Sequence, residues 1–264
     1  MKRPVLFLAA ALIAAAVPAL SQEDPTRPSS SPDPLVTVKD DTLTYIGGTN
    51  DKGLQALRDA VRAVPRGRIR KMVVNSGGGD TAAGLSIGAV VADLAPDLTI
   101  EVGCFSSCAN YIAPAAKSIT IRENAFLGWH GNDRQYEVIA KQTSVPVRDQ
   151  LRAIFRKQAP NGKAPSGKPV DIEALVEEAA AMLQNRSADE SAFYSRLGVA
   201  DTFAVCGVGS RFDARVTGEQ RGWGFSITDM ARLGLPPVTY QGQGAYEENP
   251  TFRRYLILLT RKDC

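Results

Sequence analysis

Serine and histidine side chains with the potential to act together occur at two places in the first half of the chain. The run EVGCFSSCANYIAPAAKS contains Ser106 and Ser107 directly before an apolar segment. His130 is the only histidine, and it follows the apolar run AFLGW between two glycines. A serine at the start of an apolar helix lies beside the positive end of the helix dipole, and a neighbouring imidazole can take its proton. These residue types predict nucleophilic chemistry, although a serine at such a position is also a common helix N-cap.

Three glycines separate a predicted strand from a predicted helix in VVNSGGGDTAAG. Gly77, Gly78 and Gly79 allow a sharp turn whose backbone N–H groups point outward, which suits an anion or a developing oxyanion. The spacings of the phosphate-binding loops, G-x-x-x-x-G-K-S/T and G-x-G-x-x-G, do not occur in this segment. The glycines therefore indicate either an oxyanion hole or a plain tight turn.

Strands and helices alternate through the first half of the sequence. Apolar runs predict strands at TLTYIGG, RKMVVN, LTIEV, SITI and AFLGW, and helical spacing lies between them at residues 54–64 and 83–94. This alternation predicts βαβ units, and hence an α/β fold with a mostly parallel sheet and helices on both faces. Sites in such sheets lie at the carboxyl ends of strands, where the glycines, the serines and His130 all fall.

The second half of the sequence is less regular. Residues 135–158 are predicted to be largely helical despite Pro146, and residues 172–183 and the run DESAFYSRLGV are predicted as two further helices. Residues 206–222 show no period. The run SITDMARLGL predicts a short helix with Ser226 as its N-cap and Gly234 just after its end.

The N-terminus has the features of a secretory signal peptide. Lys2 and Arg3 precede an apolar run, and the A-x-S pattern predicts cleavage after Ser21. An uncleaved membrane anchor is the alternative. We therefore expect a signal peptide at 1–21, a flexible Pro/Ser-rich linker at 22–35, one domain at 36–245 and a C-terminal tail at 246–264. The expected location is periplasmic or extracellular, after passage across the inner membrane.

Composition limits the partners. The formal net charge is only +3 and no long Lys/Arg block occurs, so no nucleic-acid partner is expected. One histidine and the widely spaced Cys206 and Cys264 make a poor zinc ligand set. Neither a metal nor a cofactor is expected.

Taken together, the motifs resemble the Clp protease proteolytic subunit, within the ClpP/crotonase superfamily. That family has N-S-P-G-G, then G-x-x-S, then a histidine at a strand end. The likeness covers roughly residues 36–240 and is strongest in the first half. It implies a ClpP/crotonase-like β-β-α superhelix of repeated βαβ units, a serine peptidase acting on a peptide or protein substrate, and a homo-oligomer. The matching segments here are Asn75-Ser76-Gly77-Gly78-Gly79, Gly103-x-x-x-Ser107 and His130-Gly131.

Carried over by position, the resemblance makes Ser107 the nucleophile and His130 its general base. The oxyanion hole would be the backbone N–H groups of Gly79 and Cys108. Ser106 would be a bystander beside the nucleophile.

The third member of the triad has no carboxylate in register with the family. The family's aspartate falls near Gly222, so Glu219 is the expected acid. Asp213, Asp189 and Glu190 are the alternatives.

The resemblance leaves three other functions to weigh. An exported chain meets no unfolding ATPase, so no ATPase partner is expected, and an inactive ClpP-like binding or scaffold protein is the main alternative. A crotonase-like acyl-CoA enzyme is disfavoured because CoA thioesters are cytosolic. The Ser-Lys signal-peptide-peptidase branch is disfavoured because Lys117 is on the wrong side of the nucleophile helix.

The four cysteines are the last candidates for chemistry. In an exported chain they are allowed to form disulfides. We expect Cys104–Cys108, which would rigidify the serine turn, together with Cys206–Cys264. A Cys104–Cys206 pair, two buried thiols, or a cysteine nucleophile paired with His130 are the alternatives.

Overall fold

A seven-stranded sheet forms the centre of the fold in the computed structural model, which describes residues 27–163 and 166–264. The predicted signal peptide and the first part of the linker lie outside the described residues. The order across the sheet is β1-β2-β3-β4-β5-β8, and β6 pairs with β4 outside that path. The strands are β1 (Leu35–Lys39), β2 (Thr42–Ile46), β3 (Lys71–Ser76), β4 (Asp97–Phe105), β5 (Ser118–Ile121), β6 (Phe126–Gly128), β7 (Gly222–Phe225), β8 (Val238–Tyr240) and β9 (Leu256–Leu259).

Every pairing between these strands is parallel except that of β1 with β2. Strands β7 and β9 form a second, two-stranded sheet. The predicted α/β fold with a mostly parallel sheet is therefore confirmed. The helices are α1 (Asp51–Arg62), α2 (Thr81–Leu94), α3 (Gln135–Thr143), α4 (Val147–Gln158), α5 (Ile172–Leu197), α6 (Ser210–Asp213), α7 (Ile227–Arg232) and α8 (Pro250–Tyr255).

Local sequence explains where several of these helices begin and end. The side chains of Asn50, Asp80 and Ser226 accept hydrogen bonds from backbone N–H groups in the first turns of α1, α2 and α7. Gly234 follows α7 with φ +84°, as predicted. Pro146 separates α3 from α4, because proline cannot donate a backbone hydrogen bond inside a helix. No helix in the part of the chain described here is long and apolar enough to cross a membrane.

Three predictions for the flanks and the second half were wrong. Helix α5 is one element of 26 residues, because no breaker interrupts the segment predicted as two helices. Strand β7, for which no prediction was made, shares only Gly222 with the region that showed no period, and its four residues are all buried, so no alternation marks it. The tail predicted at 246–264 forms α8 and β9, and β9 pairs with β7. Part of the predicted flexible linker is also ordered, because Ser29 and Ser31 accept backbone hydrogen bonds from Gly77 and Gly48.

Strand β4 changes partners along its length. Its first half pairs with β5, through Asp97 to Ile100, and its second half pairs with β6, through Gly103 to Phe105. The register between β3 and β4 shifts at the same point. A bulge of this kind bends a strand and redirects the side chains after it. The end of β4 is thereby placed beside the end of β6, where the predicted catalytic residues follow.

Candidate active site

Ser106 and His130 form the central hydrogen bond of the site. The Oγ atom of Ser106 lies 2.7 Å from the Nε2 atom of His130. Both residues follow paired strands, since Phe105 lies opposite Gly128 in the β4–β6 register. The Ser106 N–H continues that pairing by donating to the Gly128 carbonyl oxygen at 3.1 Å. Parallel pairing therefore sets the distance between the serine and the imidazole.

The backbone of Ser106 is in the left-handed region, with φ +57°. Residues with a side chain adopt this region rarely, at a cost of roughly 1–2 kcal/mol. Ser106 lies between the end of β4 and a single π-helical turn at Cys108–Ile112, and it is only half-buried. A strained strand-to-helix turn that exposes a serine hydroxyl is the arrangement of a nucleophile elbow.

Ser107, the predicted nucleophile, is placed differently. It is fully buried, and its hydroxyl donates to the carbonyl oxygen of Gly79 at 2.9 Å. This hydrogen bond fastens the turn to the glycine loop, and the imidazole is bonded to the Ser106 hydroxyl instead. The assignment of Ser107 as the partner of His130 was wrong, and Ser106 takes that place. The family spacing G-x-x-S, counted from Gly103, falls on Ser106 and is the sequence signal for it.

Gly78 is shaped to accommodate the serine turn. A Cβ atom at Gly78 would lie 2.6 Å from the Ser106 Cβ atom and 2.7 Å from the Ser107 nitrogen. The residue has φ +84°, which also favours glycine. Any side chain at this position would push directly on Ser106.

Helix α2 also packs closely against the turn that contains Ser106 and Ser107. A Cβ atom at Gly84 would lie 2.9 Å from the Ser107 Cβ atom, and one at Gly88 would lie 2.6 Å from the Tyr111 carbonyl oxygen. These two glycines, four residues apart, lie on one face of α2. They let the helix pack directly against the turn.

The imidazole of His130 packs on Phe105, with ring centroids 5.0 Å apart. Partial burial on this ring lowers the pKa of His130, and an interaction with its own backbone opposes the shift. The residue as a whole nevertheless remains exposed to solvent. A lowered pKa keeps the imidazole neutral near pH 7, which is the form that accepts a proton.

No carboxylate among the described residues hydrogen-bonds to this imidazole. Glu219, the predicted acid, instead lies in the loop before β7 and accepts a hydrogen bond from the Arg254 Nε atom at 2.8 Å. The alternative Glu190 is buried and bonded to the hydroxyl of Tyr111. His130, the predicted base, is thus hydrogen-bonded to a serine, and neither Glu219 nor Glu190 is hydrogen-bonded to its imidazole.

Asn110 connects the two halves of the site. Its backbone N–H donates to the Ser106 carbonyl oxygen at 2.8 Å, and its Nδ2 atom donates to the Gly131 carbonyl oxygen at 2.9 Å. The side chain is fully buried. Asn110 thus holds the loop that carries His130 against the turn that carries Ser106.

The loop after His130 is also held by side chains of α2 and α5. The carboxylate of Asp133 accepts from the Thr81 hydroxyl at 2.9 Å, in the first turn of α2. Arg186 of α5 donates to the same hydroxyl at 3.0 Å and pairs with Asp133 at 3.5 Å. Burial raises the pKa of Asp133, and the hydrogen bond from Thr81 and the charge of Arg186 oppose that shift.

Backbone N–H groups beside Ser106 provide candidates for an oxyanion hole. Neither the Ser107 nor the Gly79 N–H donates to any acceptor among the described residues. In a nucleophile elbow the N–H of the following residue binds the oxyanion. With Ser106 as nucleophile, the second donor becomes Ser107 in place of the predicted Cys108, and Gly79 keeps its predicted role. The Gly78 N–H already donates to the Ser76 hydroxyl at 3.2 Å.

Both predicted disulfides are present. Cys104 and Cys108 are joined across the serine turn, with Cα atoms 5.2 Å apart, and Cys206 is joined to Cys264, with Cα atoms 4.5 Å apart. No described cysteine is free, which removes the cysteine-nucleophile alternative. No group of His, Cys, Asp and Glu side chains suited to a metal ion occurs within residues 27–163 and 166–264.

No protein-family model and no curated protein matches the chain. Among solved structures, it is similar to an enoyl-CoA hydratase from Mycobacterium avium subsp. paratuberculosis K-10, with 15% identity over 63% of this chain and 84% of that one, and a TM-score of 0.32. Methylmalonyl-CoA decarboxylase complexed with 2S-carboxypropyl-CoA is 10% identical over 64% and 82% of the two chains, with a TM-score of 0.31. DspI from Pseudomonas aeruginosa is 12% identical over 67% and 84%, with a TM-score of 0.32.

The sequence identities and TM-scores of these three structures are too low to support any statement about activity.

Proposed function

We propose that the protein is a serine hydrolase in which Ser106 is the nucleophile and His130 the general base. One observation carries this proposal. A half-buried serine in a strained strand-to-helix turn is hydrogen-bonded to the only histidine of the sequence. Serine is a weak nucleophile without a base, and this arrangement supplies one.

The chemistry that follows is acyl transfer. The imidazole Nε2 atom takes the Ser106 proton while Oγ attacks the acyl carbonyl carbon, and the oxyanion is held by the N–H groups of Ser107 and Gly79. His130 then gives that proton to the leaving group, which leaves an acyl-enzyme. Water activated by His130 releases the acid and restores Ser106. Esters, thioesters and peptides all present such a carbonyl group, and the resemblance favours peptides.

A hydrolase without an acid behind its histidine is expected to be slow. The acid of a triad fixes the imidazole tautomer, and loss of that role costs about 10⁴-fold in kcat in a full triad. The same feature favours the second candidate, an inactive binding or scaffold protein. Covalent labelling separates the two, because only a nucleophilic serine reacts with a fluorophosphonate.

We also propose that the chain is exported. Support comes from the signal-like N-terminal sequence and from the two disulfides, which persist in oxidising compartments. The homo-oligomer implied by the resemblance stays a prediction.

The test is fluorophosphonate labelling of the wild type and of three variants: Ser106→Ala, Ser107→Ala and His130→Ala. We expect labelling to disappear in Ser106→Ala and His130→Ala. Ser107→Ala is the matched control, since it removes a neighbouring hydroxyl that does not face the imidazole, and it should keep labelling if it folds. A melting curve for each variant checks folding. Labelling that persists in Ser106→Ala would contradict the proposal.

A further inference from the structure

An N-terminal segment lies across the sheet edge that carries the candidate site. We refer to residues 28–32 as the strap. Ser29 accepts from the Gly77 N–H at 2.7 Å, and Ser31 accepts from the Gly48 N–H at 2.9 Å. The Ser29 N–H donates to the Asn75 Oδ1 atom at 3.1 Å. The strap therefore crosses from β4 to β2 over the carboxyl ends of the parallel strands.

The strap bonds as an extended peptide ligand does, through backbone groups. The donors it meets at Gly77 and Gly48 belong to loops that follow β3 and β2. Two amide side chains also bond to its backbone: Asn75 accepts from the Ser29 N–H, and the Asn50 Nδ2 atom donates to the Pro32 carbonyl oxygen at 3.0 Å. Backbone bonding of this kind is independent of side-chain identity and is used where proteins bind extended peptides. The surface under the strap is thus suited to a polypeptide segment in general.

This surface adjoins Ser106 directly. The Oγ atom of Ser30 lies 2.2 Å from the position of a Cβ atom built on Gly77, and the Ser106 Cβ atom lies 2.6 Å from the equivalent position on Gly78. Two consecutive residues of one loop therefore touch the strap and the candidate nucleophile. Pro28 packs on Gly103, three residues before that serine.

A row of aromatic rings places the strap on the same side as the imidazole. Ring contacts run from His130 to Phe105, from Phe105 to Phe126 and from Phe126 to Tyr255, with centroids 5.0, 6.2 and 5.3 Å apart. The guanidinium of Arg27, next to the strap, lies 5.9 Å from the Tyr255 ring centroid. The strap begins next to Arg27, at the Tyr255 end of this row, and His130 lies at the other end.

We propose that the surface under the strap, formed by the loops at Gly77 and Gly48, is the groove that binds the substrate, and that the strap is its intramolecular ligand. The strap then competes with an extended polypeptide for the Gly77 and Gly48 N–H groups. This inference rests on the proposed function and adds the substrate class and its regulation. The segment that it fits has small residues over the glycine loop and an apolar residue over Gly103, as the strap has Ser29, Ser30 and Pro28. Displacement of the strap opens the groove.

The first test compares two substitutions in the full mature chain. Ser30→Leu presses a larger side chain against Gly77 and should lift the strap. Ser195→Leu makes the same change at an exposed position of α5, outside the strap, and serves as the control. Because a tethered ligand acts at an effective concentration in the millimolar range, we expect fluorophosphonate labelling of Ser106 to be about tenfold faster or more in Ser30→Leu and unchanged in Ser195→Leu.

The second test reads binding without activity. A fluorescent peptide with the sequence of residues 27–33, RPSSSPD, is titrated into Ser106→Ala proteins with and without the deletion of residues 22–32. Fluorescence anisotropy should show binding to the deletion variant, at least tenfold weaker binding to the intact chain, and at least tenfold weaker binding of the same peptide carrying Ser30→Leu, whose larger side chain presses against Gly77. If the deletion variant does not fold, Ser30→Leu combined with Ser106→Ala replaces it.

The outcomes separate this inference from the proposed hydrolase. Equal labelling rates in wild type and Ser30→Leu, with no peptide binding, overturn the role of the strap and leave the hydrolase intact. Peptide binding to the opened groove, with no labelling of any variant, supports the strap and overturns the hydrolase.

Discussion

The hydroxyl of Ser106 is hydrogen-bonded to the imidazole of His130 at 2.7 Å, although the two residues are 24 positions apart in sequence. Pairing of β4 with β6 accounts for this contact. Ser106 directly follows β4, and His130 lies two residues beyond the end of β6. The neighbouring Ser107 faces the carbonyl oxygen of Gly79 instead.

The activity of the dyad should depend on pH through His130. Burial on Phe105 lowers the imidazole pKa below the ordinary value of 6.5, and only the neutral ring accepts the Ser106 proton. The rate of fluorophosphonate labelling should therefore rise with pH along a limb whose midpoint lies below 6.5, and then level off. A midpoint above 7 would contradict the lowered pKa. Phe105→Ala removes the ring that buries the imidazole and should move the midpoint upward.

Substitution of Gly78 should displace Ser106 and abolish its labelling. In Gly78→Ala the new Cβ atom would lie 2.6 Å from the Ser106 Cβ atom and from the Phe105 carbonyl oxygen. We expect loss of labelling and a fall of about 2–4 kcal/mol in the free energy of unfolding, from strain at positive φ together with overpacking. Urea denaturation and labelling of the same sample measure both effects.

Gly67→Ala is the matched control for that substitution. Gly67 has φ +78°, close to the value at Gly78, but no atom lies within 4 Å of a Cβ built on it. It should lose only about 1 kcal/mol, the cost of alanine at positive φ, and keep full labelling. Equal effects of the two substitutions would show that the close approach at Gly78 is unimportant.

Stability should fall with rising pH because of Glu190. Burial raises the pKa of Glu190 to about 8, while the hydrogen bond from Tyr111 opposes the shift. Between the unfolded pKa and this value the folded state binds more protons than the unfolded state, so the free energy of unfolding decreases by up to about 1.4 kcal/mol per pH unit.

Glu190→Gln keeps the shape of the side chain and removes its titration. In this variant the decrease of unfolding free energy between pH 5 and pH 8 should be largely absent, as measured by urea denaturation at a series of pH values. Glu177→Gln, on the exposed face of the same helix, should leave the wild-type slope nearly unchanged. A wild-type slope retained in Glu190→Gln would assign the pH dependence to another group.

Loss of either disulfide should affect stability and labelling to different extents. Cys206–Cys264 closes a separation of 58 residues, and Cys104–Cys108 closes one of 4. Loop entropy predicts losses of about 4 kcal/mol for the double alanine variant of the first pair and about 2 kcal/mol for that of the second. Labelling should be reduced more by loss of Cys104–Cys108, because that bridge spans the serine turn. The opposite order of labelling would show that the small loop does not position Ser106.

Much of the fold could be predicted from the first half of the sequence. Buried strands between amphipathic helices predict a parallel sheet, and the glycines after β3 and the histidine after β6 lie at its carboxyl edge as expected. These signals are local, since each depends on a short run of residues. Strand β7 and the pairing of β9 with it depend on contacts between distant segments, and no short run encodes them.

The family spacing itself distinguishes Ser106 from Ser107. G-x-x-S counted from Gly103 falls on Ser106, whereas the assignment of Ser107 used the longer spacing G-x-x-x-S. In the structure β4 pairs with β6 up to Phe105, so Ser106 is the residue that directly follows the paired strand. The acid was mispredicted because no carboxylate here aligns with the family's aspartate, and the loop that carries Glu219 binds Arg254 of α8.

The support beneath the histidine comes from the carboxyl-terminal strand. A Cβ atom at Gly128 would lie 2.5 Å from the Leu256 side chain, so β9 packs directly under the residues that precede His130. Residues 256–259 are made long after Ser106 and His130 have left the ribosome. The packing beneath the residues before His130 can therefore form only after residues 256–259 have been made.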